Sequence, residues 1–204
     1  MKIIVIDYDA GNTANVLRAL SKIGMPAELS QDASKILTAD GLILPGVGAY
    51  PAAMAELHKR GLVSVIKEAV AQGTPLLGIC LGMQVLTEVG LEHQETEGFG
   101  FIPGVCRPIK ATKTMPVPHI GWNDLSVIQD SPLTDGLARQ SVYFVHSYFT
   151  DVPKAYIDVT TDYGMAIPAM IHKDNVYGAQ FHPEKSGDFG LGILKAFTQL
   201  CEQK

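Results

Sequence analysis

Cys80 stands in surroundings that suit a nucleophile. A short apolar run, Pro75-Leu76-Leu77, leads into Gly78-Ile79-Cys80-Leu81-Gly82, and Met83-Gln84-Val85-Leu86 continues in a pattern that suits a helix. Strand, sharp turn and helix in that order form a nucleophile elbow, with cysteine in the place of serine. The flanking glycines have a physical reason: the nucleophile's backbone is strained, and side chains there would clash where strand and helix approach. The Leu81 N–H and the first helical turn would face an attacked carbonyl, favouring a thiolate and a developing oxyanion. The competing reading is a buried, inert cysteine on a βα turn.

A nucleophilic thiol needs a base, and the base needs an orienter. Six histidines are available. His182 is distinguished by its sequel, Phe181-His182-Pro183-Glu184. Residues two apart in an extended segment point the same way, so Glu184 can hold one imidazole nitrogen and leave the other for Cys80. Pro183 keeps His182 out of the helical region. An ordinary loop with a surface ion pair fits these four residues as well. His58 lies among Glu56, Lys59 and Arg60 on a solvated helix face; His93 sits in an acidic loop, Glu92 to Glu97; His172 precedes a hairpin turn, Lys173-Asp174-Asn175. His119 and His146 are not so readily set aside. Pro45-Gly46-Val47-Gly48 could aim successive N–H groups at an anion and supply an oxyanion donor beside Leu81, or be a plain βα turn. It is too short for a dinucleotide fingerprint, and the turn after the first strand lacks one too.

The elements that position these groups follow from periodicity. Strands are expected at 2–7, 27–30, 41–44 and 76–79, with helices at 13–23, 51–72 (broken near Gly61) and 81–89. Gly24 stops the first helix, and Tyr8 to Asn12 form a turn. This alternation argues for a parallel sheet covered on both faces. The second half changes character. Strands at 105–109, 123–128, 142–146, 156–161, 166–172 and 176–181 follow with no strong helix until 189–202, so several are antiparallel.

Composition narrows the function classes. Hydrophobic content of 47% with 18% charged residues suits a folded chain with a sizeable core. A net charge of −5 without a basic run argues against nucleic acid. No apolar stretch reaches spanning length, and the N-terminal run is too short for a signal sequence, so a cytoplasmic protein is expected. Three dispersed cysteines, Cys80, Cys106 and Cys201, suggest neither a disulfide framework nor a zinc site, and no cofactor is expected.

Cys80 in its Gly-x-Cys-x-Gly setting, followed about a hundred residues later by His182-Pro183-Glu184, resembles the class I (triad) glutamine amidotransferases; the Pro45–Gly48 loop fits as well. Asp7-Tyr8 with Gly11-Asn12, Pro118-His119-Ile120-Gly121-Trp122-Asn123 and Tyr143-Phe144-Val145-His146-Ser147-Tyr148 resemble the branch that serves imidazole glycerol phosphate synthase. The resemblance runs from the first strand to the last helix. Together with the elements it predicts one glutaminase domain over residues 1–204: an α/β three-layer flavodoxin-like sandwich, its mixed central sheet mostly parallel, with an antiparallel strand-rich second half.

The resemblance implies roles. Cys80 attacks the glutamine carboxamide, His182 takes the thiol proton and returns one to departing ammonia, and Glu184 holds His182. Leu81 and Val47 or Gly48 form the oxyanion hole. Gly46, Gln84, Glu92, His146, Ser147 and Tyr148 bind substrate, and Asn12, Asn15, Trp122 and Lys185 face a partner. Turn chemistry for the asparagines and a core or interface role for Trp122 are the alternatives. Asp9 departs from the small residue usual there, a position where aspartate tolerates a left-handed turn. One glutaminase-sized domain leaves no room for acceptor chemistry, so the ammonia is used elsewhere. The implied partner is a (β/α)8-barrel cyclase, in a heterodimer, that makes imidazole glycerol phosphate and aminoimidazole carboxamide ribotide. Rival readings are a glutaminase serving another acceptor, such as pyridoxal phosphate synthesis, a non-catalytic regulatory protein, and a thiol hydrolase of the same broad fold.

Overall fold

The computed structural model describes all residues except 10, 114, 137–139, 203 and 204; residue 10, in the expected 8–12 turn, thus lies outside the described residues. The first part of the chain alternates strand and helix: β1 (Ile3–Ile6), α1 (Thr13–Lys22), β2 (Ala27–Ser30), α2 (Ala33–Leu37), β3 (Gly41–Gly46), α3 (Tyr50–Lys59), α4 (Leu62–Ala71), β4 (Leu76–Cys80) and α5 (Leu81–Gln84). Strands then dominate: β5 (Val89–Gly90), β6 (Thr96–Glu97), β7 (Val105–Pro108), β8 (His119–Asp124), β9 (Ser126–Val127), β10 (Ser141–His146), β11 (Tyr148–Asp151), β12 (Ile157–Asp162), β13 (Ala166–Lys173) and β14 (Val176–Ala179). The last helix is α6 (Gly187–Cys201).

The main sheet runs β2-β1-β3-β4-β14-β13-β12-β9. It is parallel from β2 to β14 and antiparallel from β14 to β9. Each apolar strand divides its side chains between two cores, as a period of two requires. Ile4, Ile6, Leu42, Leu44 and Leu76 pack with Ile36, Leu57 and Ile66 from α2, α3 and α4. Ile3, Val5, Ile43, Leu77 and Ile79 pack with Val16 and Leu20 of α1 and Leu194 and Phe197 of α6. Both sheet faces are thus covered, which is why these strands read as unbroken apolar runs. The result is the expected flavodoxin-like arrangement.

The expected elements depart from the structure where tertiary partners intervene. The helix after Cys80, expected to reach Val89, ends at Gln84. The carbonyls of Val85, Leu86 and Thr87 accept instead from Phe99, Phe101 and Gly100 N–H at 2.8–3.0 Å, so the 98–102 loop replaces the next helical turn. β3 runs past Leu44 through Pro45 and Gly46, which pair with Ile79 and Cys80; β1 pairs only with Gly41–Ile43, so the missing Pro45 N–H leaves no gap on that side. The 123–128 strand divides into β8 and β9, which belong to different sheets. Periodicity misses α2, a single turn and a half. Asp32 caps it, its Oδ1 accepting from Ser34 N at 2.8 Å and Lys35 N at 3.2 Å. The acidic 92–97 stretch is not all loop, for Thr96–Glu97 pairs with Val89–Gly90.

Candidate active site

Cys80 lies at the carboxyl end of β4, in the middle of the main sheet, where open α/β sheets gather their ligands. Its φ of 56° and ψ of −111° are strained for a residue with a Cβ. The flanking glycines allow this. A Cβ on Gly82 would fall onto the Leu44 carbonyl, and one on Gly78 onto the Gly82 backbone. A Cβ on Gly46, in the adjacent strand, would lie 2.6 Å from Tyr8 Oη and 2.9 Å from Gly82 N. Three backbones therefore meet beneath the cysteine with no space for a side chain.

His182 stands three residues beyond Ala179, the last paired residue of β14, and the chain then enters a 3-10 turn, Pro183–Lys185. Its Nδ1–H donates to Glu184 Oε1 at 2.7 Å, with both side chains almost fully buried. Among the described residues its Nε2 has no hydrogen-bond partner, and both His182 and Cys80 line one cavity of about 320 Å³. Burial pushes the His182 pKa down, but the neighbouring Cys80 and the hydrogen-bonded Glu184 outweigh it and raise it to about 9.

Val47, Gly48, Leu81, Gln84 and Glu92 line the same cavity, and so do His146, Ser147 and Tyr148. Gly46 does not line it and packs behind the elbow instead. Gln84 donates to the Tyr148 carbonyl and to Gln180 Oε1, each at 3.1 Å, so its amide ties the elbow helix to both. Glu92 reaches the rim while accepting from Tyr50 N at 2.7 Å, at the first turn of α3.

The β10 backbone joins Cys80 and His182. The Val145 carbonyl lies 3.8 Å from Cys80 Sγ, and the Tyr143 carbonyl accepts from His182 N at 3.0 Å. Ser186 completes that strap, accepting from Tyr143 N at 3.0 Å and donating to the His182 carbonyl at 2.7 Å. Trp122 is 60% exposed on the β8–β10 ribbon, and exposed Lys185 lies over the Tyr143 ring. Asn12, expected to face a partner, turns its amide inward: it sits in the left-handed region at φ 75° and donates to Glu184 Oε1. Asn15 donates in turn to Asn12 Oδ1, and Arg18 to Asn15.

Two contributors escape the sequence reading. Gln180 is fully buried, with its Nε2 3.8 Å from Cys80 Sγ. It stands two residues before His182, so the same alternation that picked out Glu184 could have found it. Tyr8 Oη donates to the Pro45 carbonyl at 2.8 Å and anchors the start of the Gly46–Gly48 loop; no local pattern announces a contact between residues 37 apart. Cys106 is buried, and that burial, with Glu92 and Cys80 adding to it, drives its thiol far above the ordinary range, so it is no competing nucleophile.

The profile of the family described as glutamine amidotransferase class-I matches residues 4–199. Imidazole glycerol phosphate synthase subunit HisH of Streptococcus mutans serotype c is 75% identical over 200 residues, 98% of this chain and 100% of that one. The protein of the same name from Listeria monocytogenes serotype 4b is 50% identical over 198 residues, covering 97% and 95%. Among solved structures, a glutamine amidotransferase superimposes with a TM-score of 0.78 at 17% identity, covering 98% of each chain. A chain of PurLQS from Thermotoga maritima does so with a TM-score of 0.75 at 18% identity, again covering 98% of each.

Proposed function

The chain belongs to the class I glutamine amidotransferases, and from that premise we propose how its residues carry out the reaction. The protein is the glutaminase subunit of imidazole glycerol phosphate synthase: it releases ammonia from glutamine for histidine biosynthesis. Residues 1–204 act as one domain. Cys80 Sγ attacks the glutamine carboxamide carbon, and the Leu81 N–H with that of Val47 or Gly48 receives the oxyanion, each donor contributing roughly 3 kcal/mol. The tetrahedral intermediate collapses to a thioester as His182 gives its proton to departing ammonia. His182 then takes a proton from water, hydroxide adds to the thioester carbon, and glutamate leaves as the thiol is restored. Glu184 keeps the imidazole aimed through its Nδ1 hydrogen bond.

The observation that carries this reading is the division of labour on His182. One nitrogen is spent on buried Glu184, and the other is left free in the cavity that Cys80 shares. The ammonia passes to a partner cyclase built as a (β/α)8 barrel, in a cytoplasmic heterodimer, seated on the face carrying Ile120, Trp122 and Lys185. Among the described residues no helix is long and apolar enough to cross a membrane. An uncoupled glutaminase wastes substrate, so activity stays low until the partner binds and the loop after Tyr8-anchored Pro45 reorients. Glutamate release is measured for the isolated chain, then with purified cyclase and its nucleotide. Strong stimulation is expected. Full turnover by the isolated chain overturns the gating, and no turnover in the complex overturns the glutaminase reading.

A further inference from the structure

His119 and His146 lie outside the triad, yet both are buried, and they are direct cross-strand neighbours at the end of the β8–β10 ribbon. His146 Nδ1 lies 2.8 Å from the Tyr148 carbonyl, which can only accept, so Nδ1 carries the hydrogen. Neutral His146 must then accept at Nε2, and His119 Nδ1, 3.0 Å away, must donate to it. His119 Nε2 is left as an acceptor, matched by the Asn123 amide at 3.3 Å; the same amide nitrogen also donates to the Asp162 carbonyl at 2.9 Å. Only one arrangement of hydrogens satisfies every partner, and it requires both rings neutral. Burial favours that state, lowering the pKa of both and taking that of His146 to about 4. The His119 ring is stacked between Phe144 and Tyr163, with centroids 4.8 and 4.0 Å away.

The relay ends where substrate is bound. The Tyr148 carbonyl that receives His146 also receives Gln84, and Val145, His146, Ser147 and Tyr148 form the cavity wall facing Cys80. At its other end His119 is followed by Ile120 and Trp122, 59% and 60% exposed on the ribbon. We propose that His119 is a positioning residue for glutamine: acting through His146 as a fixed chain of neutral imidazoles, it holds the Val145–Tyr148 wall in its substrate-binding shape and ties that wall to the exposed ribbon. No proton is transferred along the chain; its task is to keep one donor direction.

The tautomer arm of the test stands without any activity, whereas the kinetic arm rests on the glutaminase reading. Long-range ¹⁵N–¹H correlation spectra of the full ¹⁵N-labelled chain at neutral pH should show both rings neutral and protonated at Nδ1. Either ring as the Nε2–H tautomer, or as imidazolium, overturns the relay. In the complex with its cyclase, His119→Phe keeps the stacking but removes the donor, and His119→Asn restores a donor at the same distance from the backbone. His119→Phe should raise the KM for glutamine about tenfold with kcat nearly unchanged, and His119→Asn should recover most of that loss. An unchanged KM in His119→Phe, or equal impairment in both variants, overturns the proposal. If His119→Phe does not fold, His119→Asn against the wild-type tautomers still decides. A wild-type complex inactive on glutamine counts against the function, and the spectra then judge the relay alone.

Discussion

The elbow that presents Cys80 and the ribbon that faces it solve opposite problems. At the elbow three backbones meet with no room for a Cβ at Gly78 or Gly82, and the apolar cores close over both faces of the sheet. Among the described residues the β8–β10 ribbon pairs only with itself, and it exposes Ile120 and Trp122 on one side. Its β10 edge meets the surroundings of Cys80 and His182 through main-chain carbonyls, Val145 at Cys80 and Tyr143 at His182. The nucleophile is fixed by excluded volume and its surroundings by hydrogen bonds. Excluded volume admits one arrangement, while hydrogen bonds can be exchanged for others. The histidines reflect the same division. His182 is raised to about 9 by Cys80 and Glu184 although burial opposes it, whereas burial lowers His146 to about 4.

The largest break in this comparison is chemical. Cys80→Ala should lower glutamine hydrolysis by the complex about 10⁴-fold or more, while Cys106→Ala leaves it within a few-fold. Equal loss in both would put the nucleophile elsewhere. Gly82→Ala tests excluded volume. Its methyl group would have to displace the Leu44 carbonyl, so denaturant melts should show a loss of about 3 kcal/mol or more. A near-neutral result would show that the elbow can relax. Asn12→Asp keeps a residue tolerant of the left-handed turn but sets a carboxylate against Glu184. We expect kcat to fall about 10- to 100-fold, and steady-state kinetics that leave kcat intact would remove Asn12 from the triad's support.

Titration separates the two regions without changing the cavity's shape. The stability that His182 contributes as imidazolium is full below pH 6.5 and is lost as pH rises through about 9. Neutral His146 works in the other direction, with stability present above 6.5 and lost as pH falls toward about 4. Melting curves should therefore show His182→Gln losing its penalty on the alkaline side and His146→Asn losing its penalty on the acid side. The same side for both would contradict the assignment. The smallest effect on the fold belongs to the exposed ribbon. Trp122→Ala should leave the melting temperature of the isolated chain almost unmoved while weakening cyclase binding by about 2 kcal/mol, read by titration calorimetry.

The legible parts were those whose cause is local. Short apolar runs without alternation marked the parallel strands, the paired glycines marked the elbow, and His182 does meet Glu184 two residues on, although through a 3-10 turn at Pro183–Lys185 and not through the extended segment expected. The length of the helix after Cys80 was not legible. Residues 85–87 have helical character, but carbonyls that would continue the helix find N–H partners in the 98–102 loop, a choice made between distant segments. The Asn12 contact was not legible for the same reason: an asparagine in a turn gives no sign of Glu184, which stands 172 residues later and accepts its amide.

The sequence alone therefore picked out the groups proposed to react: a thiol on a tight turn, an imidazole with its carboxylate, and the sheet that carries them. Only the tertiary structure decided how they are held. Gln180 beside the sulfur, Tyr8 on the Pro45 carbonyl, and His119 behind His146 are contacts between segments far apart in the chain. Side-chain periodicity records which face a residue takes, but not which distant group meets it there; that depends on how the sheets pack and which polar groups burial leaves in need of a partner.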